Sequence, residues 1–300
     1  MRNKQAVVIG AGLSGLLAAR VAARHFGQVT VLEKDPVGGP EPRKGVPQGR
    51  HIHVLWTVGS GILEHYFPGL FDRLAEAGGE GFDNSADMRW FHGGVWKMRA
   101  DVGLRIYSQS RPLLEHHVRL QLRDLPNVRI ERAAVSGLRV ESGKVLGVTV
   151  RQPDREDTGV AADLVIDASG RGSRMPAWLA AHGVAKPGTA ELDVDLRYAS
   201  RLYERSEGMD WKCMAVYARP PTRKRSGVIF PVEDKRWIVT LAGCYGDHPP
   251  GDEAGFLDFA RSLDRPDLHD AIAGATPASD IAGFSYPKEI WRRYDRLDGL

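Results

Sequence analysis

The 300-residue sequence predicts an α/β fold followed by a mixed, β-rich layer. Three observations predict it. The N-terminal stretch "VVIGAGLSGLLAA", Val7 to Ala19, places Gly10, Gly12 and Gly15 between an apolar run and a helical pattern. A second apolar run, "QVTVLEK", follows and carries an acid, Glu33, at its end. From about Ala185 the pattern changes to strong alternation, as in "ELDVDLRYASRLY" and "GVIFPVEDKRWIVTLAG", which is the period of half-buried strands.

The first unit reads as a βαβ crossover. Val7 to Ile9 form a strand, Leu13 to Phe26 a helix and Val29 to Leu32 a second strand. Arg2, Lys4 and the apolar run also resemble the start of a secretion signal, but the glycine spacing and the acid-ended second strand have no part in one. In the crossover each glycine has a mechanical task. Gly10 allows the tight turn out of the strand, Gly12 lets backbone approach a diphosphate, and Gly15 lets helix and strand pack closely. The unpaired N–H groups and positive dipole end of the helix favour an anion there. Glu33 stands where a carboxylate accepts hydrogen bonds from a ribose diol, and its charge disfavours a 2′-phosphate at this site. This is a Rossmann-type dinucleotide site.

After the crossover comes a Gly/Pro-rich basic loop, "PVGGPEPRKGVPQGRHIH", then a helical pattern from Val54 to Tyr66 that ends at Pro68-Gly69. Short strands are expected at Met88 to Phe91, Val95 to Met98 and Leu104 to Tyr107. "SRPLLEHHVRLQLRDL" reads as a helix with Ser110 as N-cap and Pro112 in its first turn. The segment from Val128 reads as an antiparallel meander, with turns at Ser142-Gly143 and in "PDRED", leading into a buried apolar strand, Leu164 to Ala168. A helix over Pro176 to His182 closes that part. In the last third, a hairpin turns at Glu233 to Lys235, helices run over Glu253 to Leu263 and Asp267 to Ala273, and a strand falls in "IAGFSY".

Composition bounds the function. Forty-one basic and 38 acidic residues give a net charge of +3, which calls for neither nucleic acid nor an anionic membrane. The one dense basic run, Arg223 to Arg225, reads as a solvated loop. Cys213 and Cys244, the two cysteines, form no CxxC, and no zinc spacing occurs. These features fit a cytoplasmic protein without strong membrane association, and no apolar run reaches the length of a span. His51 and His53 face one side of an extended segment, yet no carboxylate or cysteine nearby completes a metal site. His116 and His117 read as ordinary helix residues. Trp56, Trp90, Trp96, Trp211 and Trp237 are candidates to line an apolar cavity, each also at home in a core. The sequence does not give the oligomeric state.

The opening with Ala19 after Gly15, the loop "RKGVPQGRHIHVL", the helix "SRPLLEHHVRLQL", the segment "ADLVIDASGRGSRMPAWL" and the hairpin "FPVEDKRWIVTLAG" together resemble the FAD-dependent monooxygenases of the p-hydroxybenzoate hydroxylase type. Bacterial tailoring oxygenases and polyether epoxidases are the most similar, with squalene epoxidase further off. The resemblance covers nearly the whole chain. It implies an FAD-binding domain over 1–82 and 111–183 with the meander inserted, and a substrate domain over 84–110 and 184–300. It implies that Arg43 approaches the diphosphate and that Arg111 lies beside the cofactor, tasks suited to a guanidinium. It further implies that Leu13, Ser14, Lys34, Gln48, Val135, Asp167 and Gly170 join Gly10, Gly12, Gly15 and Glu33 in the cofactor site, and that Gln48 and His51 reach the flavin edge. The activity implied is NAD(P)H-dependent hydroxylation or epoxidation of an apolar alkene or aromatic small molecule, with O2 activated as a flavin C4a-hydroperoxide and no catalytic side chain assigned.

One part of the family pattern has no counterpart. A Gly-Asp followed by a Pro and a GxG turn is expected soon after a segment like "EIWRRYDRLDGL", and the sequence ends at Leu300. Gly246-Asp247 and Gly251-Asp252 lack the GxG turn and are rejected as substitutes. The reading is therefore of a C-terminally truncated form. Two alternatives stand beside it: an FAD-dependent reductase of prenyl chains, and a non-catalytic nucleotide-binding remnant. A flavin halogenase is disfavoured because no WxWxIP segment occurs.

Overall fold

The structure, a computed structural model, describes residues 3–151 and 156–297. In chain order, β1 (Gln5–Ile9), α1 (Leu13–Ala22) and β2 (Gln28–Glu33) form the opening crossover. A loop and a 3-10 turn at Pro47–Arg50 lead to β3 (Val54–Leu55), α2 (Thr57–Tyr66), α3 (Leu70–Glu76) and β4 (Glu80–Asp83). Then come β5 (Met88–His92), β6 (Val95–Trp96), β7 (Arg105–Ser108) and α4 (Arg111–Arg123). They are followed by β8 (Val128–Arg132), β9 (Ala134–Glu141), β10 (Lys144–Arg151), β11 (Thr158–Ala161), β12 (Leu164–Asp167) and α5 (Met175–Ala181). The last third holds β13 (Thr189–Glu204), β14 (Cys213–Val216), β15 (Ser226–Val232), β16 (Arg236–Cys244), α6 (Glu253–Arg261), α7 (Asp267–Ile272) and β17 (Ala282–Arg292).

The chain divides into two compact units. The first comprises Met1–Val46, Glu115–Ala190 and Ile290–Leu300, the second Pro47–Leu114 and Glu191–Glu289. In the first, β12-β1-β2-β8 make a parallel sheet. Its central strand β1 reads QAVVI and is buried from Ala6 to Ile9, as a strand covered on both faces must be. β11-β10-β9 form the inserted antiparallel meander. Val7, Leu32, Leu138 and Val148 share the core beneath it.

Several expectations change here. α1 stops at Ala22 instead of Phe26, because Arg24 and His25 bond to carbonyls three residues back and the last turn tightens. Val128–Arg132 is a fourth parallel strand beside β2, not part of the meander. β12 pairs in parallel with β1 as expected, but it lies at the sheet edge, and Leu164 is 40% exposed. Of the predicted turn "PDRED", residues 153–155 lie outside the described residues, as does Leu300.

The second unit is built on a seven-stranded mixed sheet, β17-β13-β16-β15-β14-β5-β6. The predicted hairpin is β15–β16, turning where Asp234 and Lys235 take positive φ of 61° and 55°. β14 pairs with β5 in parallel, a long-range pairing the alternation does not reveal. Helices α6 and α7 cover one face, where Phe256, Phe259 and Leu268 pack on Trp237, Val239 and Leu241. Asp252 caps α6 by accepting the Gly255 N–H at 2.8 Å. On the other face Phe82, Ile106, Phe230 and Ile238 form a core joined by Ile52 and Val54. That packing explains why 47–82, assigned from the sequence to the cofactor domain, groups with the β-rich unit. Trp237 is 1% exposed and stacks on Trp211, 5.5 Å between ring centres. These two are core residues, whereas Trp56 is 46% exposed. No described helix is long and apolar enough to cross a membrane.

Candidate cofactor site

The site lies in the first unit, at the carboxyl ends of β1, β2 and β12, where open α/β sheets bind ligands. Gly10 leaves β1 with φ +98°, and a Cβ there would stand 2.7 Å from the Ala168 carbonyl oxygen. A Cβ on Gly15 would lie 1.9 Å from the Gly10 oxygen. Gly10 and Gly15 therefore serve the turn and the packing. Gly12 differs. A Cβ on it would meet only Glu115 Oε1, at 3.9 Å, so its Cα faces an open cradle at the positive end of α1. Leu13 and Ser14 form the first turn of that helix, and Ser14 is exposed.

Glu33 ends β2 and is 7% exposed. Its carboxylate accepts the Ala11 N–H at 2.8 Å, the Asp35 N–H at 3.0 Å and Arg43 Nη1 at 2.9 Å. Arg43 also donates Nη2 to the Ala11 carbonyl at 2.9 Å and to Glu115 Oε2 at 2.7 Å. Burial pulls the guanidinium pKa down, but hydrogen bonding and attraction from Glu115 and Glu33 outweigh it, and the net shift is upward. Arg43 stays charged. Glu115 reaches the helix start as well, accepting the Leu13 N–H at 3.2 Å. Arg119, one turn further along α4, is 2% exposed, donates Nη2 to the Gly39 carbonyl at 2.8 Å, and lies 3.8 Å from Glu115. Its Nε and Nη1 are buried without a hydrogen-bond partner. Burial, with Arg43 next, pulls its pKa down to about 10. Two buried acids and two buried cations thus surround the glycine cradle with no formal net charge.

Glu115 and Arg119 were missed in the sequence. Their signal was present: two charges at i,i+4 on the helix stripe that also carries Leu114, Val118 and Leu122, all buried. Charged residues on a core stripe are buried only when paired.

Asp167 ends β12 opposite Ile9. Its carboxylate is used within its own loop: Oδ1 accepts the Ser169 N–H at 3.0 Å and its hydroxyl at 2.5 Å, and Oδ2 accepts the Ser173 hydroxyl. Gly170 has φ +82° and open space around its Cα. Lys34 is exposed, and Val135 is half-buried against the core under the meander. A cleft of about 880 Å³ opens beside this loop, lined by Ser14, Asp167, Ala168, Gly170, Leu164 and Tyr294 among others. Gln48 and Arg111 belong to the second unit. Gln48 is exposed on the 3-10 turn and its carbonyl meets His53 Nε2 at 2.9 Å, while Arg111 opens α4 after the Ser110 cap. His51 is buried in the second unit and bonds Ser200.

The residues fit a flavin dinucleotide on structural grounds. The cradle over Gly12 is open, a buried acid stands at the end of β2, and the Arg43 guanidinium is held against that acid and the Ala11 carbonyl.

A family described as FAD dependent oxidoreductase matches residues 5–229. Protein Rv3254 of Mycobacterium tuberculosis (strain ATCC 25618 / H37Rv) is 33% identical over 305 residues, covering 98% of this chain. The chain spans 64% of the length of that relative. Among solved structures, the flavin-dependent brominase Bmp2 aligns with a TM-score of 0.70 and 14% identity over 96% of this chain and 68% of its own. PqsL, a probable FAD-dependent monooxygenase from Pseudomonas aeruginosa, aligns with a TM-score of 0.68 and 13% identity over 95% and 74%. At these identities the likeness is one of fold.

Proposed function

Because the chain belongs to the FAD-dependent oxidoreductases, we propose that its first unit holds FAD and serves an NAD(P)H-dependent monooxygenase acting on an apolar alkene or aromatic small molecule. The observation that carries this reading is the open cradle over Gly12 with Glu33 and Arg43 hydrogen-bonded in one cluster beside it. In this reading the diphosphate lies over the N-terminus of α1, where the dipole and N–H groups favour an anion. Arg43 places its charge against that anion. Glu33 accepts the adenosine ribose hydroxyls, and its buried charge favours FAD over any dinucleotide with a 2′-phosphate at the same place. When bound, the flavin supplies the electron transfer and oxygen chemistry, which needs no side-chain nucleophile. The protein's share is to grip, orient and keep water out.

A titration of the purified chain with FAD tests the first half, and an oxygen electrode the second. The FAD-loaded protein turns yellow and consumes O2 when NADH or NADPH is added. A protein left colourless by excess FAD refutes the cofactor assignment. Flavin that NAD(P)H reduces but that O2 does not reoxidise refutes the monooxygenase and favours a reductase, which turns over without air.

A further inference from the structure

Among the described residues of the β-rich unit, His51 Nε2 is one of several buried side-chain polar atoms without a hydrogen-bond partner, and it is the one on an imidazole ringed by aromatic side chains. His51 is 5% exposed, and its Nδ1 meets Ser200 Oγ at 2.7 Å. Ser200 Oγ meets Thr240 Oγ1, also at 2.7 Å, and Thr240 Oγ1 accepts the Ile52 N–H at 3.4 Å. Ser200 and Thr240 face each other across β13 and β16, and both are buried.

Hydrogen counting sets the direction of this chain. Each hydroxyl has one hydrogen to donate. Thr240 Oγ1 receives from Ile52 and keeps its own hydrogen to give; donated to Ser200, that hydrogen leaves Ser200 free to donate to His51 Nδ1. The reverse direction leaves the Thr240 hydrogen without an acceptor among the described residues. In the first direction Nδ1 is an acceptor, which assigns the imidazole proton to Nε2. That atom is buried and has no hydrogen-bond partner, a condition that destabilises the fold until an acceptor is supplied. The ring is also held neutral. Burial first, and the neighbouring His53 second, push its pKa down to about 4. Around it stand aromatic side chains. Tyr198 and Phe284 lie 6.0 and 5.6 Å from the imidazole, and they stack on each other at 6.3 Å with an interplanar angle of 11°.

We propose that His51 Nε2–H is a positioning group for substrate, donating to an uncharged acceptor oxygen or nitrogen on an aromatic small molecule that packs against Tyr198 and Phe284. A neutral donor offers nothing to offset a full negative charge, and the flat stacked rings suit a flat ligand. The proposal rests on reading the β-rich unit as the substrate layer of the flavoenzyme.

The probes are acetophenone and α-methylstyrene, which share a shape but exchange the carbonyl oxygen for a methylene. Histidine-selective 15N NMR on the full chain, with and without FAD, first reads the His51 tautomer. The expected result is Nε2–H, and an Nδ1–H tautomer overturns the proposal. Acetophenone should then shift the Nε2–H resonance, and α-methylstyrene should not. In His51→Phe the acetophenone affinity should fall about tenfold while that of α-methylstyrene stays within about twofold. Ser200→Ala, a smaller change, should let the proton populate Nδ1 and weaken acetophenone alone. Equal effects on both probes, or no binding of acetophenone to the wild-type protein, overturn the proposal. Colour on the same samples separates the two failures. A protein that refuses FAD refutes the functional reading, and a yellow protein whose His51 ignores acetophenone refutes only this inference.

Discussion

Removing Glu115 should unsettle the cofactor unit before any ligand is added. Its carboxylate, 3% exposed, receives Arg43 at 2.7 Å and the Leu13 N–H at 3.2 Å, and stands 3.8 Å from Arg119. With Glu115 in place, the cluster of Glu33, Arg43, Glu115 and Arg119 carries no formal net charge. In Glu115→Ala it carries one uncompensated positive charge in a dry site, a loss of about 3–5 kcal/mol. Glu115→Gln keeps the shape and an acceptor for Leu13 but loses the charge-assisted bonds, for about 1–3 kcal/mol. The assay is urea unfolding of the FAD-free protein, followed by circular dichroism and by tryptophan fluorescence so that each unit is seen. For a chain of this size the alanine variant should move the midpoint by about 1 M or more. A second substitution sharpens the test. Arg43→Met combined with Glu115→Ala restores neutrality, so the pair should cost less than the sum of the singles, with a coupling of about 2 kcal/mol. If Glu115→Ala unfolds within about 0.5 kcal/mol of the wild type, as an ordinary surface change would, the buried cluster does not exist in solution. Strict additivity would refute the charge argument on its own.

Other substitutions give further tests. Glu33→Ala should weaken FAD binding by about tenfold or more through lost charge-assisted hydrogen bonds, read by calorimetric titration. Gly15→Ala should block folding of the crossover, since its Cβ would stand 1.9 Å from the Gly10 oxygen; solubility and circular dichroism report it. The buried His51 gives a pH signature. Its folded pKa, about 4, lies below the value of 6.5 it has when exposed. The unfolded chain therefore binds more protons between those values, so stability is full above pH 6.5 and falls as pH drops toward 4, by about 3 kcal/mol. His51→Gln should flatten that part of the stability–pH curve. Asp252→Ala should cost about 1 kcal/mol through the lost cap on α6, seen as a lower thermal midpoint.

Much of the cofactor unit was legible because its signals are local. The three glycines and the acid at the end of β2 lie within the one crossover they serve, and in the β-rich unit the Ser110 cap is equally local. The cap bond from Leu113 N–H to Ser110 Oγ, 3.2 Å, is the expected one. The β15–β16 hairpin was legible for the same reason, since its turn residues and alternating strands adjoin. What escaped was set by partners distant in sequence. Nothing near Val128 says that it pairs in parallel with Val29, or near Cys213 that it pairs with Met88. The buried role of Glu115 depends on Arg43, 72 residues away, and α4 alone displays only a charged pair on an apolar stripe. Asp167 is placed in the cofactor site by the resemblance alone, and the hydrogen bonds of its carboxylate to Ser169 and Ser173 within its own loop carry no signal in the sequence.

The meeting of Gly10, Gly15 and Ala168 has a consequence for anyone who would redesign this protein. Main chain from two separate turns touches there, and the Ala168 methyl would lie 3.3 Å from a methyl placed on Gly15. The two glycines and Ala168 behave as one locked joint, so a library that varies either glycine singly forces main chain apart in every member. Gly172, by contrast, has nothing within 4 Å of where a side chain would go. It is the place on the same rim where new chemistry can be grafted without prying the joint apart.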